Sequence, residues 1–153
     1  MELAVQTVRM GRLDQSLGFR LRLAQLHVFA AFAEAAATHE VTPSQFAVLL
    51  LIEANPGIKQ IELASALALD RSTMVRLVDR CEAAKLVRRG SSKDDRRAAP
   101  LALTSRGRGL VEKLEPAVSR REAAASGLSR AERTTLVTLL ERISSPERQG
   151  ESS

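Results

Sequence analysis

The chain has 153 residues, the length of one ordinary domain and enough to bury a real core. Hydrophobic residues make up 44% and aromatics only 3%, with no Trp or Tyr, so the core must be aliphatic; abundant Ala, Leu, Arg and Glu favour a mostly α fold. The longest unbroken apolar run, Phe46 to Ile52, is too short to span a membrane, one cysteine excludes an internal disulfide, and the N-terminus MELAVQTVRMGRLDQ has no signal-peptide core, so a cytoplasmic location is expected.

Net charge is +5, and its distribution carries more information than its size. Between Arg71 and Arg108 eleven Lys or Arg face four acids, a local +7, while the rest of the chain carries a net −2. A positive excess confined to one supersecondary unit is the footprint expected of phosphate binding. The alternative is a solvated basic face.

The first helix is predicted from about Arg12 to Thr38. Leu17, Leu21, Val28 and Phe32 form one stripe at helical spacing, and Leu23, Leu26 and Ala30 form another. At 1.5 Å per residue this helix would be roughly 40 Å long. A helix apolar on two sides and that long needs a second subunit to cover it. Thr42 then opens a second helix, with Pro43 at the first helical position, Gln45 completing a Thr-x-x-Gln capping box, and Val41 and Phe46 placed for a hydrophobic staple. It stops at Asn55-Pro56-Gly57. A third helix spans about Lys59 to Leu67.

Asp70 is placed to cap a fourth helix running to about Ala84. Stepping 100° per residue puts Met74, Leu77, Val78 and Cys81 on one side, the core face. Ser72, Arg76 and Asp79 fall opposite, flanked by Arg80, Thr73 and Val75. Hydroxyls, a guanidinium and a small apolar group are the types that read base edges. Leu86 to Arg89 reads as a strand, Gly90 to Asp95 as a turn-rich tip and Leu101 to Leu103 as the returning strand. A two-stranded hairpin is marginal alone and must lean on the helices as a wing. Its Lys93, Arg96 and Arg97 suit a neighbouring minor groove, and Asp95 is spaced to hold Arg97 by a charge-assisted bond.

The run TPSQFAVLLLIEANPG…IELASALALDRSTMVRLVDRCEAAKLVRR…DDRRAAPLALTSRG resembles the multiple-antibiotic-resistance regulator (MarR) family of transcription factors, over about residues 12 to 144. The resemblance implies a mostly α, winged helix-turn-helix protein that binds double-stranded, pseudo-palindromic DNA as a homodimer and represses transcription under the control of a small-molecule effector. Residues 12–39 and 105–144 would be dimerisation helices, 42–104 the DNA-binding lobe, and 145–153 a flexible tail. Arg71, Ser72, Thr73, Arg76, Lys93, Arg96 and Arg97 would touch DNA, with Asp95 supporting the wing. The effector pocket would lie among helix one, helix two and early helix five; its residues are unknown, with His27 a conceivable polar contact. No cofactor or metal is expected. The sequence departs from the family at Ala68 and Lys85, where Gly is common, at Val75 in place of a hydroxyl residue, and at Pro100 near the second strand. Non-Gly residues at the first two positions leave room for a different local geometry.

Thr104 is placed to cap a fifth helix from Ser105. Pro116 is predicted to kink or break it, and Gly127 to end it. Ser129-Arg130-Ala131-Glu132 is a second capping box, opening a last helix with Leu136, Val137, Leu140 and Ile143 on its apolar stripe. Two other functions fit parts of this pattern. Cys81 could serve a redox sensor if helix four opened, and a winged helix can bind protein rather than DNA. Catalysis has little support: His27 and His39 lie far from Cys81 in sequence, and there is no nucleophile elbow or glycine-rich phosphate loop.

Overall fold

The computed structural model describes residues 8–91 and 98–144. Six helices and two strands follow in the order α1 (Leu17–Ala35), α2 (Pro43–Ala54), α3 (Gln60–Ala66), α4 (Arg71–Ala83), β1 (Val87–Arg89), β2 (Leu101–Leu103), α5 (Ser105–Ser126) and α6 (Arg130–Ser144). The tail, Ser145 to Ser153, lies outside the described residues.

The first helix is shorter than its periodicity predicts. Ser16 adopts an extended backbone and its hydroxyl accepts from Phe19 N, so α1 begins at Leu17 behind a short 3-10 turn, Gly11–Gln15. Arg20 reaches back over that break, donating from Nε to the Asp14 carbonyl at 2.7 Å and pairing with the Asp14 carboxylate at 3.0 Å. Nineteen helical residues span roughly 28 Å rather than 40 Å. The capping box of α2 forms as its sequence predicts: Thr42 N donates to Gln45 Oε1 at 2.9 Å, and Gln45 N to Thr42 Oγ1 at 3.2 Å.

One continuous core joins the end of α1 to α2, α3, α4, the strands and α5. Phe32 and Phe46 meet with ring centroids 5.7 Å apart, and Leu49, Ile52, Leu63, Met74, Val78, Leu101 and Leu114 are almost wholly enclosed. At ~25 cal/mol per Å² of apolar surface, each such side chain contributes about 1.5–3 kcal/mol. The strands pair antiparallel, with Val87 opposite Leu103 and Arg89 opposite Leu101. Backbone bonds from Gly57 N to Leu101 O (2.9 Å) and from Leu101 N to Ile58 O (3.0 Å) anchor the hairpin to the loop between α2 and α3. Pro100 precedes β2, so its missing N–H costs no ladder bond, while its carbonyl accepts from Gly90 N at 2.8 Å.

Pro116 does not break α5, which runs unbroken from Ser105 to Ser126 and ends at Gly127 in left-handed geometry. The last helix opens on the expected reciprocal cap, Ser129 N to Glu132 Oε2 at 2.8 Å and Glu132 N to Ser129 Oγ at 3.3 Å. No residue of α6 is buried. Its Leu136, Val137, Leu140 and Ile143 stand exposed, as do Leu17, Leu26 and Phe29 of α1.

Candidate nucleic-acid interface

The helix-turn-helix is α3, a tight turn and α4, and both helices end the same way. Ala68 has φ 50° and Lys85 φ 59°, so each keeps the left-handed geometry for which glycine is the usual choice. After α3, Ala68 N donates to Ser65 O and Leu69 N to Ala64 O; after α4, Lys85 N donates to Glu82 O and Leu86 N to Cys81 O. These are paired Schellman closures, which satisfy the carbonyls a helix leaves open. The anticipated departure in geometry does not occur; the backbone conformation is retained under steric strain.

Asp70 organises the front of α4. Its carboxylate accepts from Ser72 Oγ at 2.6 Å, Thr73 Oγ1 at 2.6 Å and Thr73 N at 2.9 Å. The Ser72 hydroxyl, followed by the Thr73 hydroxyl and N–H, holds this carboxyl well below the usual carboxylate range. Arg76 Nη2 donates to Thr73 Oγ1 at 3.1 Å, extending the chain to Arg76, Thr73 and Asp70. Three side chains on the exposed face are therefore held before any ligand arrives. The opposite face is Met74, Leu77, Val78 and Cys81, all buried. Burial pushes the Cys81 thiol up to about 11, so it stays protonated near neutrality.

Of the residues singled out in the sequence, the structure brings Arg71, Ser72, Thr73 and Arg76 together on the first half of α4, Thr73 half-buried and the others exposed. Lys93, Asp95, Arg96 and Arg97 lie outside the described residues. The groove between α3 and α4 has a volume of about 630 Å³, with Lys59, Arg71, Ser72 and Arg76 at its edges and Ala98 beside it. Gln60 lines it too, and its buried Nε2 has no hydrogen-bond partner.

Sequence reasoning missed the role of Arg89. Counted there as one of the segment's positive charges, it lies with its side chain only 7% exposed and pairs with Asp79 at 2.7 Å and Glu82 at 2.5 Å. It clamps β1 to the far end of α4 and offers nothing to a phosphate. Asp79, placed by the helical wheel on the reading face, serves that clamp. Only tertiary structure brings these residues together across seven and ten positions.

A second cleft, about 370 Å³, opens between α1, α2 and the middle of α5; Phe29, Phe32 and Phe46 line it together with Glu115, Val118 and Glu122, which share one face of α5. It lies farther along α5 than the sequence suggests. His27 does not line it; its Nε2 is 3.0 Å from the Ala125 carbonyl.

The MarR family model matches residues 39–98. A transcriptional regulatory protein for the hcr operon of Thauera aromatica is 40% identical over 135 residues, covering 87% of this chain and 81% of that one. The chain belongs to the MarR family. Among solved structures, the repressor CouR bound to a 23-mer DNA duplex superposes with a TM-score of 0.83 at 37% identity, covering 92% of this chain and all of that one (100%). CouR bound to p-coumaroyl-CoA gives 0.81 at 34% identity, covering 92% and 99%. The mostly helical fold with its two-stranded antiparallel sheet is the MarR winged helix, and this MarR-family chain is a DNA-binding transcriptional regulator. Among the described residues no helix is long and apolar enough to cross a membrane.

Proposed function

We propose that this MarR-family protein acts in the cytoplasm as a homodimeric repressor, regulatory rather than catalytic, whose grip on its operator is released by a small molecule in the cleft between α1, α2 and α5. The observation that carries the reading is the ordered face of α4, where Asp70, Thr73 and Arg76 are linked by hydrogen bonds and point away from the core. A guanidinium already positioned loses less entropy on reaching a base edge. Arg71 adds an exposed positive charge at the start of α4, where the Asp70 carboxylate already takes the Thr73 N–H. Lys93, Arg96 and Arg97, with Asp95 in support, are assigned to the wing's contact with the neighbouring minor groove.

The dimer follows from apolar surface that one chain leaves uncovered. Leu136, Val137, Leu140 and Ile143 of α6 and Leu17 and Leu26 of α1 are exposed on terminal helices. Pairing them across a two-fold axis would set two α4 helices into major grooves about one helical turn apart, roughly 34–36 Å. Because α1 and α5 flank the cleft, a bound molecule there can alter that spacing. CouR has been solved with both DNA and p-coumaroyl-CoA, the two kinds of ligand this reading requires.

The test is selection of binding sites from random duplexes at physiological salt, with sedimentation to give the oligomer. A palindromic consensus bound by a dimer is expected. Failure to enrich any sequence over the random pool would overturn the reading and favour a protein-interaction role for the wing. An oxidant-driven loss of binding abolished in Cys81→Ser would instead favour the redox alternative, which the buried, protonated thiol opposes.

A further inference from the structure

The groove between α3 and α4 carries apolar surface that the contacts assigned to Arg71, Ser72 and Arg76 leave unused. Ala64 and Met74 line it as buried residues, but Val75 is only half-buried and Ile61 is 49% exposed. Lys59, Arg71 and Arg76 also line it, and no acid is among the described residues that do. Stepping 100° per residue along α4 puts Arg71, Val75, Ser72 and Arg76 in that order across an arc of roughly 140°. Val75 therefore stands between two side chains assigned to DNA, with Ile61 of α3 in the same groove.

Resting on the reading of α4 as the helix that enters the major groove, we propose that Val75, backed by Ile61, packs on the C5 methyl of one thymine in each half-site, beside the base pair that Arg76 reads. Three cationic side chains with no acid among them favour a polyanion as the occupant of this groove. The apolar surface narrows the choice further. The one methyl group that B-DNA presents in its major groove is that of thymine. Val75 has neither donor nor acceptor, so any preference it imposes must come from shape and from apolar surface removed from water. Where the family commonly has a hydroxyl residue, this chain thus reads a methyl, and it discriminates against cytosine at that position partly because cytosine lacks one.

Operators carrying deoxyuridine for thymine, one position at a time, test this, because the change removes the methyl and leaves the base's hydrogen-bonding groups in place. With the selected palindrome at physiological salt, one thymine of a half-site should show a loss of affinity of about three- to fivefold. In Val75→Ala that penalty should vanish, and the variant should bind both operators about as the wild type binds the deoxyuridine one. Val75→Thr keeps the shape of the side chain and should fold as the wild type does, with a reduced penalty. Cytosine at the same position should weaken wild-type binding, and 5-methylcytosine should regain part of the loss. A selected operator with no deoxyuridine penalty at any position, or a penalty undiminished in both variants, overturns the proposal and leaves α4 as the reading helix. Failure to select any sequence would remove that reading as well.

Discussion

Gly107 lies directly against the carbonyl of Leu86: a Cβ on Gly107 would stand 2.1 Å from Leu86 O. The contact joins the first turn of α5 to the residue that enters β1, and Thr104 reinforces it. The Thr104 hydroxyl accepts from Gly107 N at 3.0 Å and lies 2.7 Å from the Lys85 carbonyl as its donor. The obstructing atom is backbone, so no side-chain rotation can relieve a larger residue. Gly107→Ala should therefore destabilise the protein towards the upper end of the usual overpacking range, about 1–3 kcal/mol. Thermal denaturation measures that loss, and unchanged stability would mean that α5 and β1 are free to separate.

Arg89 and the exposed arginines should behave differently towards salt. Arg89→Ala removes the bridge from β1 to Asp79 and Glu82 and should cost about 1–3 kcal/mol of stability, less than a fully buried pair because both carboxylates retain some water. Its operator affinity should fall only through the wing's position, so the slope of log K against log salt should stay unchanged. Arg97→Ala, at a proposed phosphate-facing position, should instead flatten that slope by about one unit. Titrations at several salt concentrations separate the two, and a flattened slope in Arg89→Ala would place that side chain on the DNA.

Local chemistry was legible in the sequence, and tertiary pairing was not. The Thr42–Gln45 and Ser129–Glu132 boxes depend on residues three apart, and both form as read. The core face of α4 followed from helical spacing because one stripe of that helix is apolar and the other charged. The start of α1 was obscured because its apolar stripe continues through a break made by Ser16 and held by Arg20 on Asp14. Arg89 looked like a free cation because its partners lie on another element. The cleft draws on three helices, and no local pattern marks Glu122 as lining it with Phe32 and Phe46.

Ala68 and Lys85 hold left-handed conformations that cost an L-residue on the order of 1 kcal/mol. Glycine removes that strain but adds roughly 0.5 kcal/mol of freedom to the unfolded chain. Ala68→Gly and Lys85→Gly should each stabilise the protein by about 0.5 kcal/mol, or roughly 1–2 °C in Tm. Ala68→Gly changes no charge and isolates the backbone effect. A fall in Tm for that variant would show that the Schellman turn after α3 carries no strain.

Asp70 links the order of the reading face to pH. Its folded pKa is depressed, so its contribution is fully present above the ordinary carboxylate range, near pH 4, and is lost as pH falls towards the folded value. Asp70→Asn should lower Tm by a constant amount above about pH 5, and the gap from the wild type should shrink progressively below about pH 4. A gap that persisted undiminished into strong acid would mean that the charge of Asp70 does not sustain the cap.

Arg76 provides the sharpest test of where α4 sits. The wheel, its exposure and its bond to Thr73 all put its guanidinium on the exposed face of the helix, the face proposed to enter the groove. Arg76→Ala should cost roughly 1–3 kcal/mol of operator affinity and relax preference at a single base-pair position. Thr73→Val, which removes the hydroxyl joining Arg76 to Asp70, should broaden the preference at that same position with a smaller loss of affinity, because the guanidinium remains but is no longer held. The measurement is a binding profile over every single-base variant of the selected operator. If Arg76→Ala lowers affinity uniformly at all positions, Arg76 is a phosphate contact, and α4 enters the groove in a different orientation.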